Sequence, residues 1–498
     1  RGTGTEGEQL AADYIIQEFK KLGAVSGTED GSFIQPFPLL GQKTDQETSM
    51  RVRGNASANF NYYDDFMAWP ANEAEEVRVR NAELLYVGYG IQAPEENWDD
   101  FKGVDVSGKI LVVKNNDPEY DEDLFGGKAR LYYGRYDYKY EKARELGALG
   151  VLIIHTTPTA GYGWNVVSNS WSRERFYLKP GDDADKGATE FNGWLTYETS
   201  RQLFEQAGLN VDDMLAAADS PDFEPVPLDG LRLNLNLDAE YREINGKNVI
   251  GMIEGSDSEI KDEYLVITGH YDHLGVTAPI DGDDINNGAE DNAAGIAGII
   301  EIAGALKSIQ PELKRSVLLL AVSAEEVGLL GSKYWAANPT VPLNKVSANI
   351  NLDGTNVYGY TNDMVVIGYG RSTLSDILED EGRKMGRRIE ADPHPDRGYF
   401  YRSDHFSLAK VGIPAIFPNP GRDFVGKGEN YAALVDSVSG ANYHTVNDEV
   451  NEYWDLQGAQ ADFRLLFKTA VRVLNDDQMQ SWRAGDEFEA VRLESLNQ

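Results

Sequence analysis

The stretch YLVITGHYDHLG, residues 264–275, runs an apolar segment directly into two histidines and an aspartate. The apolar part has the length of a buried strand, not of a helix. It opens a series. A small-residue helix is predicted from about Asn292, then a strand over SVLLLAVS (316–323), another helix, and strands over SANINLD (347–353) and MVVIG (364–368). Alternation of buried strands with helices predicts an α/β fold, a mostly parallel mixed sheet flanked by helices. Such sheets bind their ligands just beyond the carboxyl ends of the strands.

The residues at those ends carry chemistry. His270 and Asp272 follow the first strand, Glu325 and Glu326 the second, and Asp353 closes the third. Between the first two lies NNGAEDNAAGIAG (286–298), which sets Asp291 just before a helix. Charges placed after apolar strands converge in space, and their mutual repulsion calls for a cation. The run DGDD at 281–284, by contrast, reads as solvated surface. Carboxylates with a few histidines suit zinc, manganese or cobalt better than calcium. With no cysteine in the chain, thiolate ligands and disulfides are excluded. A further imidazole is available at His444, in NYHTVND.

Composition sets outer bounds. A chain of 498 residues is too long for one simple core, so two or three structural units are expected. No apolar run approaches the roughly 18 residues of a membrane span. With 46 basic and 82 acidic residues, the net charge of −36 would repel nucleic acid. It suits a protein that stays soluble in salt, although exported proteins are often simply acidic. The first residue is Arg1, not Met, from which removal of an export signal, and a secreted or periplasmic location, is expected.

Elsewhere, Thr5 and Glu8 have capping-box spacing, Ala11, Ile15, Phe19 and Leu22 follow at helical intervals, and Gly23 supplies a stop. Residues 26–81 are polar and irregular, without a clear pattern. From 82 to 229 the texture becomes that of a self-contained β-rich module, with strands over AELLYVGYG and GKILVV and a helix running into a strand over YKYEKARELGALGVLII. LRLNLNL (231–237) alternates strictly and is read as the strand on which the main domain resumes. The expected division is therefore 1–81, 82–229 and 230–498.

Taken together, GHYDH, AEDNAAG, AEEVGLLGS, NLDG and YHTVND resemble, in order, the motifs of the M28 family of di-zinc peptidases. The resemblance covers about 236–475 and the opening helix; 82–229 resembles, more loosely, the protease-associated (PA) domain that many members carry as an insertion. It implies the zinc-dependent exopeptidase fold and two Zn2+ per chain. One ion would take His270 and Asp353, the other Glu326 and His444, with Asp291 bridging. Asp272 would orient His270 from behind, leaving His273 as a packed or pocket-wall residue. Glu325 would act as general base on a metal-bridging water, and Tyr443 would help stabilise the oxyanion. A cis peptide is implied after Asp291. Ser403 or Asp404 is expected to cap a helix, His155 and His405 to be structural, and Arg402 to bind a substrate carboxylate or pair with a surface acid. The implied activity is an aminopeptidase acting on peptides. Alternatives are a carboxypeptidase or dipeptidase of the same family, a glutaminyl cyclase, and a receptor-like ectodomain without catalysis; the complete ligand set argues against the last two.

Overall fold

The computed structural model describes every residue except 55–56, 119–120, 122–123, 128, 161, 180–188, 281 and 498, and the side chains of 278 and 280. Position 281, the first of the DGDD run, is thus outside the described residues; Asp283 and Asp284 are exposed. Among the described residues no helix is long and apolar enough to cross a membrane.

The chain divides into two compact units. One comprises Arg1–Leu39, Ile244–Pro393 and Tyr399–Gln498; the other comprises Leu40–Glu243 and His394–Gly398. The boundaries differ from those expected at 81/82 and 229/230. The reason is long-range pairing. Strands Ser49–Arg53 and Glu76–Ala82 both bond to residues 232–238, the first part of the long strand Arg232–Ile253. LRLNLNL therefore belongs to the second unit, and so does most of the stretch that lacked a pattern. The alternation was present in SMRVR and EVRVRNA, whose outward positions are held by arginine, asparagine and other polar residues.

The second unit has its own core and its own sheet. Strands Leu84–Tyr86, Ile110–Lys114, Gly150–His155 and Phe191–Thr196 pair in parallel, and Phe66–Pro70 joins antiparallel. Helices such as Tyr136–Glu145 and Tyr197–Gln206 accompany them, so this unit is α/β and not simply β-rich.

In the first unit the order of strands is the second part of Arg232–Ile253, from Ile244 on, then Ser316–Val322, Tyr264–His270, Val346–Asn351, Ala415–Asn419, Asp363–Ile367, Arg388–Ala391. The central four pairings include three parallel ones, and the sheet is mixed as expected. Tyr264–His270 lies between two parallel neighbours and is buried along nearly all its length, which is why it reads as a continuous apolar run. Its register sets His270 beside Val322 and Thr268 beside Asn351. His270, the Glu325–Glu326 pair and Asp353 consequently leave three adjacent strands at one edge.

The opening helix, Glu6–Leu22, buries Ala12, Ile15, Ile16 and Phe19 and ends on Gly23 in the left-handed conformation. Thr5 caps it by accepting from the Glu8 amide, while the Glu8 carboxylate reaches back to the Gly4 amide at 2.6 Å. The buried Glu8 also accepts from the Ser323 hydroxyl, tying this helix to the strand that delivers Glu325 and Glu326.

Candidate metal centre

The site begins with one buried imidazole. His270 sits at the end of the central strand with Nε2 facing Asp353 Oδ1 at 3.1 Å and Asp291 Oδ1 at 3.2 Å. Its Nδ1 lies 3.7 Å from Asp272 Oδ1 on the opposite side. Asp272 is fully buried and accepts the backbone N–H groups of Glu325 and Glu326 at 3.1 and 3.4 Å. It therefore fixes the loop that carries the two glutamates as well as facing the histidine.

A second imidazole faces the same carboxylate from the other end. His444 Nε2 lies 3.2 Å from Asp291 Oδ2 and 3.0 Å from Glu326 Oε2. Asp291 thus offers one oxygen to each histidine, and each pair is completed by a different carboxylate. His270, Asp291 and Glu326 each present a donor atom within 4.8 Å of the others, so the two donor sets adjoin. Separations of 3.0–3.2 Å approach the edge, about 3.3 Å, of a tetrahedron of nitrogen and oxygen ligands around an ion with bonds near 2.0–2.1 Å. The donor chemistry, two imidazoles and three carboxylates without sulfur, fits zinc.

Charge coupling follows the geometry. Burial would lower the pKa of His444, but Asp291 and Glu326 outweigh it and raise it to about 9. The same contest leaves His270 well above its ordinary value, with Asp353 and Glu325 the main partners. Burial opposes ionisation of Asp291, yet His270 and His444 hold its carboxyl far below the usual range. The two glutamates separate. Glu326 is also held low, because His273 and His444 overcome burial. Glu325 is pushed well above the usual range by burial, with Asp353, Asp404 and Glu326 nearby and His270 opposing. Among the described residues the Glu325 carboxylate accepts no hydrogen bond.

Several supporting residues were not anticipated from sequence. Asn292, wholly buried, follows Asp291 through a cis peptide, as the resemblance implied. Its amide nitrogen donates to the carbonyls of His270 and Leu352, and its oxygen accepts from the amides of Gly295 and Gly354. Position 295 must be glycine, since a Cβ there would come within 2.1 Å of the Asn292 oxygen and 2.6 Å of the Leu352 carbonyl. Asp448, the last residue of NYHTVND, accepts the Glu290 and Asp291 amides at 2.9 and 3.0 Å. The Arg1 guanidinium bonds to the carbonyls of Tyr271 and Gly288, both at 2.7 Å, and to that of Asn287.

Asp404 stands at the N-cap position of the helix His405–Lys410, as one of the two expected candidates, but no side chain makes a capping hydrogen bond there. Ser403 instead donates to Asp353 Oδ2 and accepts from Asn351, because its hydroxyl points to the strand end and not along its own helix. Asp404 is fully buried, which pushes its carboxyl up to about 7. His273 is packed beside the site, with Nδ1 2.7 Å from Glu326 Oε1. Tyr443 stacks on His444 at 3.8 Å between ring centres and is 54% exposed. It shares a pocket of about 460 Å3 with Asp291, Asp353, Tyr399 and Arg402. A larger, apolar groove of about 860 Å3 lies between helices Ala294–Ser308 and Gln457–Asn475. Among the described residues that line it there is no histidine, and the chemistry is therefore assigned to the smaller pocket.

Two further histidines have aromatic surroundings of their own. His155 packs against Tyr162, Trp164 and Trp194 in the second unit. His405 is enclosed by Phe400 and Phe417 at 4.6 and 5.2 Å.

Residues 248–469 match the sequence profile of peptidase family M28. The chain carries a peptidase family M28 domain. A probable leucine aminopeptidase 2 from Aspergillus oryzae is 23% identical over 361 residues, covering 70% of this chain and 63% of that protein. A probable zinc metalloprotease from Pyrenophora tritici-repentis is 37% identical over 106 residues, 21% of each chain. This chain thus spans less than two thirds of the length of these relatives. Among solved structures, an aminopeptidase from Aneurinibacillus sp. strain AM-1 aligns over 95% of this chain and 90% of its own at 20% identity, with a TM-score of 0.49.

His405 gives the M28 domain a measurable acid sensitivity. Burial, with Arg371 adding to it, pushes its imidazole down from 6.5 to about 3. Below pH 6.5 the unfolded chain binds a proton there that the folded chain refuses, so stability falls as pH drops from about 6.5 toward 3. The slope approaches about 1.4 kcal/mol per pH unit. His405→Phe, which keeps a ring in an aromatic pocket, is expected to flatten the pH dependence of the urea midpoint between pH 6.5 and 4. An unchanged slope would show that His405 titrates normally.

Proposed function

We propose that this chain is a zinc-dependent exopeptidase, an aminopeptidase that hydrolyses N-terminal residues from peptides with two zinc ions per chain. The observation that carries this reading is the split use of Asp291, one oxygen toward His270 and the other toward His444. His270 and Asp353 would hold one ion, His444 and Glu326 the other, and Asp291 both. Zinc is supported by the donor set and by the zinc metalloprotease name of the Pyrenophora relative. The aminopeptidase reading draws on the name of the Aspergillus relative and on a pocket whose acidic lining, Glu290, Asp291, Asp353 and Asp448, suits a cationic α-amine.

Bound zinc would supply Lewis-acid polarisation and a water acidic enough to ionise near neutral pH. The chain's own residues do the rest. Glu325, with no hydrogen bond to satisfy, is free to take the proton of the attacking water and return it to the leaving amine. Glu326, held between His273 and His444, is committed to a ligand role. Asp272 keeps the His270 ring turned outward. Tyr443, stacked on His444 at the pocket, is the candidate donor for the carbonyl oxygen as it gains charge. The second unit stands as the PA-like module, supported by its separate core and sheet.

The adjacent glutamates make the sharpest contrast. Glu325→Gln is expected to keep zinc and peptide binding while losing roughly 10²–10⁴-fold in kcat. Glu326→Gln is expected to weaken zinc binding, with activity partly restored by excess zinc. A zinc titration together with steady-state rates separates the two, and the reverse pattern would exchange their roles.

Peptides of five or more residues test the direction of cleavage. Free N-termini are expected to be cleaved and N-acetylated ones to be poor substrates, whatever the C-terminus. Equal cleavage of acetylated peptides, with loss on C-terminal amidation, would make the enzyme a carboxypeptidase.

A further inference from the structure

Arg402 has no obvious employment. In a chain with 82 acidic side chains it forms no ion pair and no side-chain hydrogen bond among the described residues. Its guanidinium lies 5.4 Å from the centre of the Tyr399 ring, and both residues line the pocket that holds Asp291 and Asp353. Tyr443, the residue stacked on His444, lines the same pocket. The acids of this pocket, by contrast, are all engaged. Asp291 faces both histidines and Asp353 faces His270, while Glu290 accepts from Tyr358 and Ser439 and Asp448 accepts two backbone amides.

A second uncommitted donor faces the same space. Asn419 lines the pocket, and among the described residues its amide nitrogen has no acceptor. Phe417, Ile367 and Pro420 form the apolar wall beside it. The pocket therefore has an acidic, metal-binding part whose groups are satisfied and a part with two unsatisfied donors, one of them a planar cation suited to a carboxylate. An exposed cation earns little from distant acids, but one stacked on a ring and facing a partly closed pocket keeps more of its pairing energy.

Resting on the exopeptidase reading above, we infer that Arg402, assisted by Asn419, selects substrates bearing a carboxylate near the scissile bond. That carboxylate is either the side chain of an acidic residue or the C-terminal carboxylate of a short peptide. Arg402 is thus a specificity-determining residue for anionic peptides in a pocket whose metal-binding part takes the amine.

Two matched pairs of substrates distinguish the sources: peptides starting with Glu or with Gln, and a Leu-containing dipeptide with a free or an amidated C-terminus. Each is measured with wild type, Arg402→Gln and Arg402→Lys. In Arg402→Gln the kcat/KM ratio of the anionic over the neutral member is expected to fall about tenfold or more, mainly through KM, with partial recovery in Arg402→Lys. A fall confined to the Glu/Gln pair assigns the side-chain carboxylate; a fall confined to the dipeptide pair assigns the α-carboxylate. Unchanged ratios in both pairs overturn the inference. The same pairs are titrated calorimetrically into zinc-loaded Glu325→Gln protein with and without Arg402→Gln, which reads the preference without turnover. Arg402-dependent binding in a protein that cleaves none of the peptides would leave this inference standing and remove the exopeptidase reading. Cleavage with no Arg402-dependent preference would do the opposite.

Discussion

One buried amide fixes the active edge of this protein. Asn292 bonds to the carbonyls at the ends of two adjacent strands, to the amide that follows Asp353, and to the start of the helix after Asp291. Its loss would leave these buried groups without partners, at about 1–3 kcal/mol each. With the backbone so tied, Asp291 and Asp353 are held beside His270 whatever their mutual repulsion. Asp448 grips the Asp291 loop from the C-terminal side, Arg1 grips its carbonyls, and Ser403 holds Asp353. The fold supplies the rigidity, and cations supply the charge balance that the side chains lack.

Because the scaffold fixes the donors, small differences in hydrogen bonding decide which does what. Glu325 and Glu326 share a loop and an Asp272 anchor. Only Glu326 has imidazoles on both oxygens. Identical side chains one residue apart are thereby given different proton affinities, the condition under which one can serve as a ligand and the other as a base.

Much of this was legible from the chain. Strand–helix alternation indicated the sheet, the residues at the strand ends indicated His270, Glu325, Glu326 and Asp353, and Asp291 stood just before a helix, because such positions follow from local pattern. What escaped was long-range. Arg1 acts 270 residues from Tyr271, and Asp448 157 residues from Asp291. Ser403 resembled a cap because the sequence shows only its neighbours along the chain. The unit boundaries shifted for the same reason, since strands near 50 and 80 are completed by residues near 235. Asn292 entered only as the approximate start of a predicted helix, with nothing local to reveal four buried partners.

The claim on which the account turns is that Asp291 is shared between two metal sites. Zinc content after exhaustive dialysis against buffered micromolar zinc, measured by elemental analysis of wild type and His444→Ala, addresses it most directly. The account predicts about two zinc ions per chain in wild type and about one in the variant. A wild type that saturates at one, or a variant that retains both, would contradict it.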